Sequence, residues 1–168
     1  KLFRLSLNKG DEFTTIEKEL EHLKNYITIQ KKRYQGLINF TIDVNHNLLP
    51  CRVVKLVLQP LVENAIYHGI EKDGGKGNIT ITIKKQNKYL IYEITDDGHG
   101  ADVEELNNLL RKVKEDNRGF GIKNVNDRIK LYFGNDCGLS FFSKPGEGTK
   151  VIVKQKLLKG EDNNVQHG

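Results

Sequence analysis

The chain has 168 residues, 37% hydrophobic and 29% charged, with a formal net charge of +5. That length suits one domain burying roughly two thirds of its unfolded surface, and the composition is that of an ordinary globular protein. No apolar run approaches the roughly 18 residues needed to span a bilayer, and Lys1-Leu2-Phe3-Arg4 lacks the apolar core and cleavage site of a signal peptide. The Lys and Arg residues are interleaved with Asp and Glu. Their one triplet, Lys31-Lys32-Arg33, falls in a helical pattern and reads as a solvated face rather than a nucleic-acid patch. Cys51 and Cys137 form no CxxC pair, so neither a zinc site nor a redox pair is indicated. A reducing compartment is the default. The chain contains no Met and reads as a piece of a longer protein.

The first periodic segment, residues 14–34, predicts a helix with Ile16, Leu20, Leu23, Ile27 and Tyr34 on one stripe, capped by Thr14 with Glu17 completing a capping box. Ile38 to Val44 alternates as a strand. A second helix is expected from about Pro50 to His68, with Pro50 in the first helical position. Pro60 inside that pattern predicts a kink or a helix that restarts there. Asn78 to Lys85 and Lys88 to Thr95 read as an antiparallel pair around a Gln86-Asn87 turn. Residues 102–114 are helical, with apolar Val103, Leu106, Leu109, Leu110 and Val113, and 115–119 a charged loop. Gly121 to Phe133 is a further helix, and Gly138 to Ser143 and Thr149 to Leu157 are closing strands. The mixture argues for an α+β fold with a mostly antiparallel sheet and helices on one face.

Several motifs interrupt these patterns. Asn64, beside Glu63, stands on the apolar stripe Val57-Leu61-Asn64-His68. A magnesium ligand and a core amide bonded to backbone both fit that position. Asp96-Asp97-Gly98-His99-Gly100 puts an acid at a strand end and glycines in the turn. The carboxylate suits the exocyclic amine of an adenine, and a simple Asp-Gly turn fits as well. Gly119-Phe120-Gly121 precedes a helix, whose free N–H groups favour a phosphate. It matches neither a Rossmann fingerprint nor a P-loop. Gly146-Glu147-Gly148-Thr149 reads as a hairpin turn, or as a glycine turn whose Thr hydroxyl meets phosphate. His22, His46 and His167 read as surface residues, and no HxxxH or HExxH pair points to a zinc hydrolase.

Taken in order, Leu58-Gln59-Pro60-Leu61-Val62-Glu63-Asn64-Ala65, Asp96 to Gly100, Gly119 to Val125 and Gly148-Thr149 resemble the catalytic ATP-binding domain of sensor histidine kinases, LytS/YesM type. They correspond to the N, G1 and G2 boxes of that family. The resemblance implies a Bergerat-type two-layer α/β sandwich over 14–158. Residues 1–13 would end an upstream helical region, with Leu2 to Leu7 closing its last helix, and 159–168 would form a polar tail. It implies ATP and Mg²⁺ as cofactors, with Asn64 on the metal, Glu63 and Asn64 at the catalytic centre, and Asp96 on the adenine amine. His68, Gly98, Gly100, Phe120, Ile122 and Thr149 would line the ATP site. Gly119 and Gly121 would end a lid over 101–118 whose conformation depends on nucleotide.

The implied reaction is transfer of the γ-phosphoryl group to a histidine on a segment absent here, since none of the five histidines has the family's phosphoacceptor context. The implied partners are the protein's own upstream dimerisation and phosphoacceptor helices and a response regulator, with no nucleic acid. The full-length protein would be a homodimer in a bacterial plasma membrane, with this domain in the cytoplasm. In one departure, Pro60 replaces a second Asn found four residues before the magnesium Asn in many relatives. In another, Glu63 is adjacent to Asn64 rather than one turn before it, where the group's hydrolases carry their water-activating acid, so vigorous hydrolysis is not implied. An anti-sigma-factor-type serine kinase and a non-catalytic nucleotide sensor are the alternatives.

Overall fold

The computed structural model describes residues 12–111 and 120–158. The expectations for Leu2 to Leu7, Val113, the loop 115–119 with Gly119, and the tail with His167 lie outside the described residues. A short strand β1 (Phe13–Thr15) opens the fold and runs into helix α1 (Ile16–Arg33). Ile16, Leu20, Leu23 and Ile27 are all at most 6% exposed, so the predicted stripe is the buried one. The cap falls one residue later than expected. Thr15 Oγ1 accepts the Lys18 N–H at 3.3 Å, while Thr14 is held extended by pairing with Val53 of β3 (Arg52–Val54). Thr15, itself extended at the end of β1, is the residue directly before the first helical turn, so it takes the cap, and Glu17 falls one position short of completing a capping box with it.

The same pairing overturns the helix expected from Pro50. Residues 52–54 are drawn into the β1–β3 ribbon, and helix α2 (Leu58–Asn64) starts only after a turn at Lys55 to Val57. Pro60 is thus the third helical residue, where its missing N–H has no helical acceptor to lose. The helix then widens over Ala65–Ile70, and the Glu71 N–H reaches back five residues to the Ile66 carbonyl. Such π-helical turns are often found at functional sites.

The main sheet has five strands, adding β2 (Ile38–Val44), β4 (Gly77–Gln86), β5 (Tyr89–Asp96), β6 (Gly138–Ser143) and β7 (Thr149–Lys156) in the order β2-β4-β5-β7-β6. Among the described residues only β2 and β4 pair in parallel; β4–β5, β5–β7 and β7–β6 are antiparallel. The β4–β5 turn is at Asn87-Lys88, one residue beyond the expected position, with Asn87 at φ 54°. One face is apolar in strict alternation: Ile79, Ile81 and Ile83 lie beside Leu90, Tyr92 and Ile94, then Val151 and Val153. This face packs on the stripes of α1, α2 and α4 (Phe120–Phe133), and α3 (Val103–Arg111) adds Leu106 to the same core. Within that core, Gln155 accepts from the Tyr92 hydroxyl at 3.0 Å and donates to the Arg52 carbonyl at 3.3 Å, joining β7 to the small ribbon.

Candidate functional site

The last residue of β5 is Asp96, an inward-facing position 4% exposed. Burial raises its carboxyl from the ordinary value to about 6, opposed by backbone N–H groups of Gly98 and Thr149. The Gly98 N–H donates to Asp96 Oδ1 at 3.0 Å. Asp97 points elsewhere: burial pushes its carboxyl up, but bonds from the Asn78 N–H (2.7 Å) and Asn78 Nδ2 (2.6 Å) outweigh this and hold it low. Of the two adjacent acids, Asp97 is thus occupied in fastening β4 to β5. Asp96 keeps acceptor capacity that two backbone donors do not exhaust.

The π-helical turn brings α2 to Asp96 through Gly69. A Cβ at Gly69 would stand 2.5 Å from Asp96 Oδ1, so any side chain there would cover the carboxylate. The Gly69 carbonyl accepts the His99 N–H at 3.0 Å, and the His99 carbonyl accepts the Gly146 N–H at 2.6 Å. Gly100 follows at φ 69°, a conformation open to glycine, with a Cβ position that the Lys144 carbonyl already fills. Glycines of the Asp96 motif and of the β6–β7 loop therefore close on each other around the strand end.

Directly before the π-helical segment, Asn64 is 8% exposed, and its amide bonds no other described residue. Glu63 is half-buried and accepts from Gln59 Nε2 at 2.9 Å, while His68 is half-buried on the π-helical turn. Gly121, in the first turn of α4, faces Pro60 at 3.4 Å from its Cβ direction, and Ile122 beside it is buried. Gly121, Pro60, Asn64, Gly69 and Asp96 thus follow one another along α2, from the α4 N-terminus to the end of β5. Phe120 opens α4, and Gly119 lies outside the described residues. Beyond Asp96, Thr149 lends its backbone N–H to the carboxylate, and its hydroxyl is 2.8 Å from Ser143 Oγ. Ser143 Oγ donates to the Gly148 carbonyl at 2.9 Å and accepts from the Ala101 N–H at 2.9 Å, so the Thr149 hydroxyl is the donor between them. A cavity of about 600 Å³, a size typical of ligand pockets, is bordered by Asp96, Val103, Ser143, Lys144, Glu147 and Thr149. Asn64, His68 and Gly121 do not line it.

A buried strand-end carboxylate walled by glycine backbone, beside a helix whose amide bonds no other described residue, suits a flat base and a metal-bound phosphate chain. Residues 52–159 match the family model of the histidine kinase-, DNA gyrase B- and HSP90-like ATPases. The chain belongs to this family. Residues 1–38 match a second model, named histidine kinase. The sensor histidine kinase YesM of Bacillus subtilis is 32% identical over 152 residues, covering 90% of this chain and 25% of YesM. YpdA, a sensor histidine kinase of Escherichia coli, is 35% identical over 158 residues, 89% of this chain and 28% of YpdA. The chain therefore spans about a quarter of the length of these relatives. Among solved structures, the catalytic domain of the histidine kinase ThkA superposes with a TM-score of 0.66 at 18% identity, covering 86% of this chain and 94% of that one.

The chain thus has the expected mixed, mostly antiparallel fold, and it matches the histidine kinase-, DNA gyrase B- and HSP90-like ATPases over most of its length. Three residues of the candidate site lie outside the sequence motifs. Gly69 was a glycine inside a helical pattern, a local anomaly that could have marked it. Ser143 and Asn78 carried no such signal, because their roles depend on partners far away in sequence. The expected surface positions of His22 and His46 are observed.

Proposed function

We propose that this domain binds ATP·Mg²⁺ and presents the γ-phosphoryl group to a histidine outside these 168 residues. The observation that carries the reading is Asp96, a buried carboxylate kept partly free and approached by the backbone of Gly69, Gly98 and Thr149. Asp96 accepts from the exocyclic amine of adenine, a charge-assisted bond worth about 1.5–3 kcal/mol. Gly98 and Gly100 let the base lie against backbone, and His68 and Ile122 complete the nucleotide-binding wall. Asn64 offers its carbonyl to Mg²⁺, which takes few protein ligands and fills its shell with water and phosphate oxygens. Among the described residues no cluster of three or more His, Cys, Asp or Glu offers an alternative metal centre. Glu63, fixed by Gln59, adds negative charge next to the metal ligand.

Gly119, Phe120 and Gly121 supply backbone N–H groups to the phosphates at the head of α4. Thr149 acts on nucleotide through its support of Asp96, and residues 101–111 belong to the expected lid over 101–118, the rest of which lies outside the described residues. Catalysis in this arrangement is positioning and charge neutralisation. In the full-length protein the acceptor stands on upstream dimerisation helices of a homodimer, and a response regulator receives the phosphoryl group. Among the described residues no helix is long and apolar enough to cross a membrane; membrane attachment belongs to the rest of the protein.

Calorimetry tests the nucleotide assignment. Asp96→Ala should weaken ATP binding by about tenfold or more, the size of one charge-assisted bond, and equal affinity would remove Asp96 from the site. In a chain that includes the upstream helices, Asn64→Ala should bind metal-free ATP normally and fail to label histidine. Labelling at the normal rate would remove Asn64 from the metal.

A further inference from the structure

Helix α2 carries Asn64, yet no capping side chain of its own closes its N-terminus. Its first donors are met from a different helix. Glu19 of α1, a carboxylate 6% exposed, accepts the Leu56 N–H on Oε1 at 2.7 Å and the Val57 and Leu58 N–H groups on Oε2 at 3.1 and 3.4 Å. The backbone is shaped for this. Leu56 has φ 54° and Val57 is right-handed helical, a succession that turns consecutive N–H groups toward one point and makes an anion nest. Leu56 is not glycine and is half exposed, so neither its side chain nor its packing explains the left-handed conformation.

The carbonyl side of the turn is held just as specifically. Arg128 of α4 donates from Nη1 to the Lys55 carbonyl at 2.8 Å and from Nη2 to the Leu56 carbonyl at 3.0 Å. Its guanidinium also stands 3.9 Å from Glu12, the residue before β1, whose carbonyl accepts the Lys55 N–H at 2.9 Å. Two contacts from α4 therefore bear on the position of α2. Arg128 meets the start of α2, and seven residues earlier Gly121 meets Pro60, one turn before Asn64. Two fixed points define the offset of one helix on the other.

We propose that Glu19 and Arg128 are positioning residues of the nucleotide site. Between them they clamp the Lys55-Leu56-Val57 turn and so set where Asn64 stands relative to the backbone of Gly121. Asn64 would hold the metal through its carbonyl, and the backbone at Gly121 would hold the phosphates whose charge the metal would neutralise. An error in the helix offset therefore falls on the metal-dependent part of ATP affinity. This inference rests on the magnesium assignment of Asn64 made above.

The test compares ATP affinity in excess Mg²⁺ with that in EDTA, using the 168-residue chain and its Glu19→Gln, Arg128→Gln, Arg128→Lys and Asn64→Ala variants. Glu19→Gln keeps the shape but turns an amide N–H₂ toward backbone donors. It should lower the magnesium-dependent gain in affinity by about tenfold, as should Arg128→Gln, the scale of one charge-assisted bond lost. Arg128→Lys keeps the charge and one donor and should recover part of the gain; it also keeps the test open where Glu19→Gln lowers the folded fraction. Residues with a merely structural role would lower the unfolding midpoint and leave the ratio of the two affinities unchanged. An unchanged ratio in the Glu19 and Arg128 variants, with a collapsed ratio in Asn64→Ala, overturns this proposal alone. An unchanged ratio in Asn64→Ala overturns the magnesium assignment and this proposal with it.

Discussion

Asp96 is held by opposing forces, and its titration reports on them. Its carboxyl lies at about 6, above the ordinary 3.8, so the folded state binds this proton more tightly than the unfolded chain. The contribution to stability therefore falls as pH rises from about 4 to about 6 and is flat above. Asp96→Asn removes the buried charge and should stabilise the nucleotide-free domain above pH 6 by up to about 3 kcal/mol, a gain that fades toward pH 4. Urea unfolding at pH 7.5 and pH 4.5 measures both ends (about three pH units apart, across the titration); a gain of equal size at both would show that charge burial is not its cause. ATP affinity of the wild type should rise as pH increases through about 6, because adenine's amine needs the ionised acceptor. Gly69 supplies a steric counterpart. A methyl at this position would stand against Asp96 Oδ1, so Gly69→Ala should abolish detectable ATP binding while leaving a cooperative unfolding transition. Calorimetry and urea melts on the same sample separate the two effects. The Asp96 motif was legible because acid and glycines are contiguous. Gly69 left only a glycine within a helical pattern as a mark, and Ser143 and Asn78 left none, because tertiary proximity is what brings these residues to Asp96 and its neighbours.

Helices α1 and α4 and all five strands of the main sheet follow their periodicity to within two residues, since burial of one face imposes the period directly. The departures occur where two segments compete for the same backbone. Thr14 and residues 52–54 carry acceptable helical signals, but their pairing satisfies the same N–H and C=O groups in a ladder and displaces both helix starts. Pro60 tests this boundary. In a helix running from Pro50 it would be interior and unfavourable by about 3 kcal/mol. As the third residue of α2 it removes no helical bond, and the neighbouring Val57 and Leu58 donors are already met by Glu19. Pro60→Ala should therefore change stability by less than about 1 kcal/mol. A gain near 3 kcal/mol in urea unfolding would place the helix start upstream of Leu58.

At the scale of the molecule, the sheet brings together segments from both ends of the chain. β2 pairs in parallel with β4, and β7 enters between β5 and β6, so Asp96 faces Thr149 directly in register. Ligand binding should accordingly stabilise the whole domain. ATP·Mg²⁺ at 100 times its Kd is expected to add about 2.7 kcal/mol, a rise in Tm of about 5–10 °C, and Asp96→Ala should lose most of it in a calorimetric melt. The sequence by itself determined the fold class, the membership in the ATPase group and the contiguous parts of the site, because apolar periodicity and short glycine motifs act through neighbours in the chain. Only the tertiary structure decided which of two adjacent aspartates remains available, how Gly69 exposes it, and how Glu19 and Arg128 fix the helix that carries Asn64. Those outcomes depend on burial and on hydrogen-bond partners tens of residues away, and a one-dimensional pattern does not encode which backbone groups will meet.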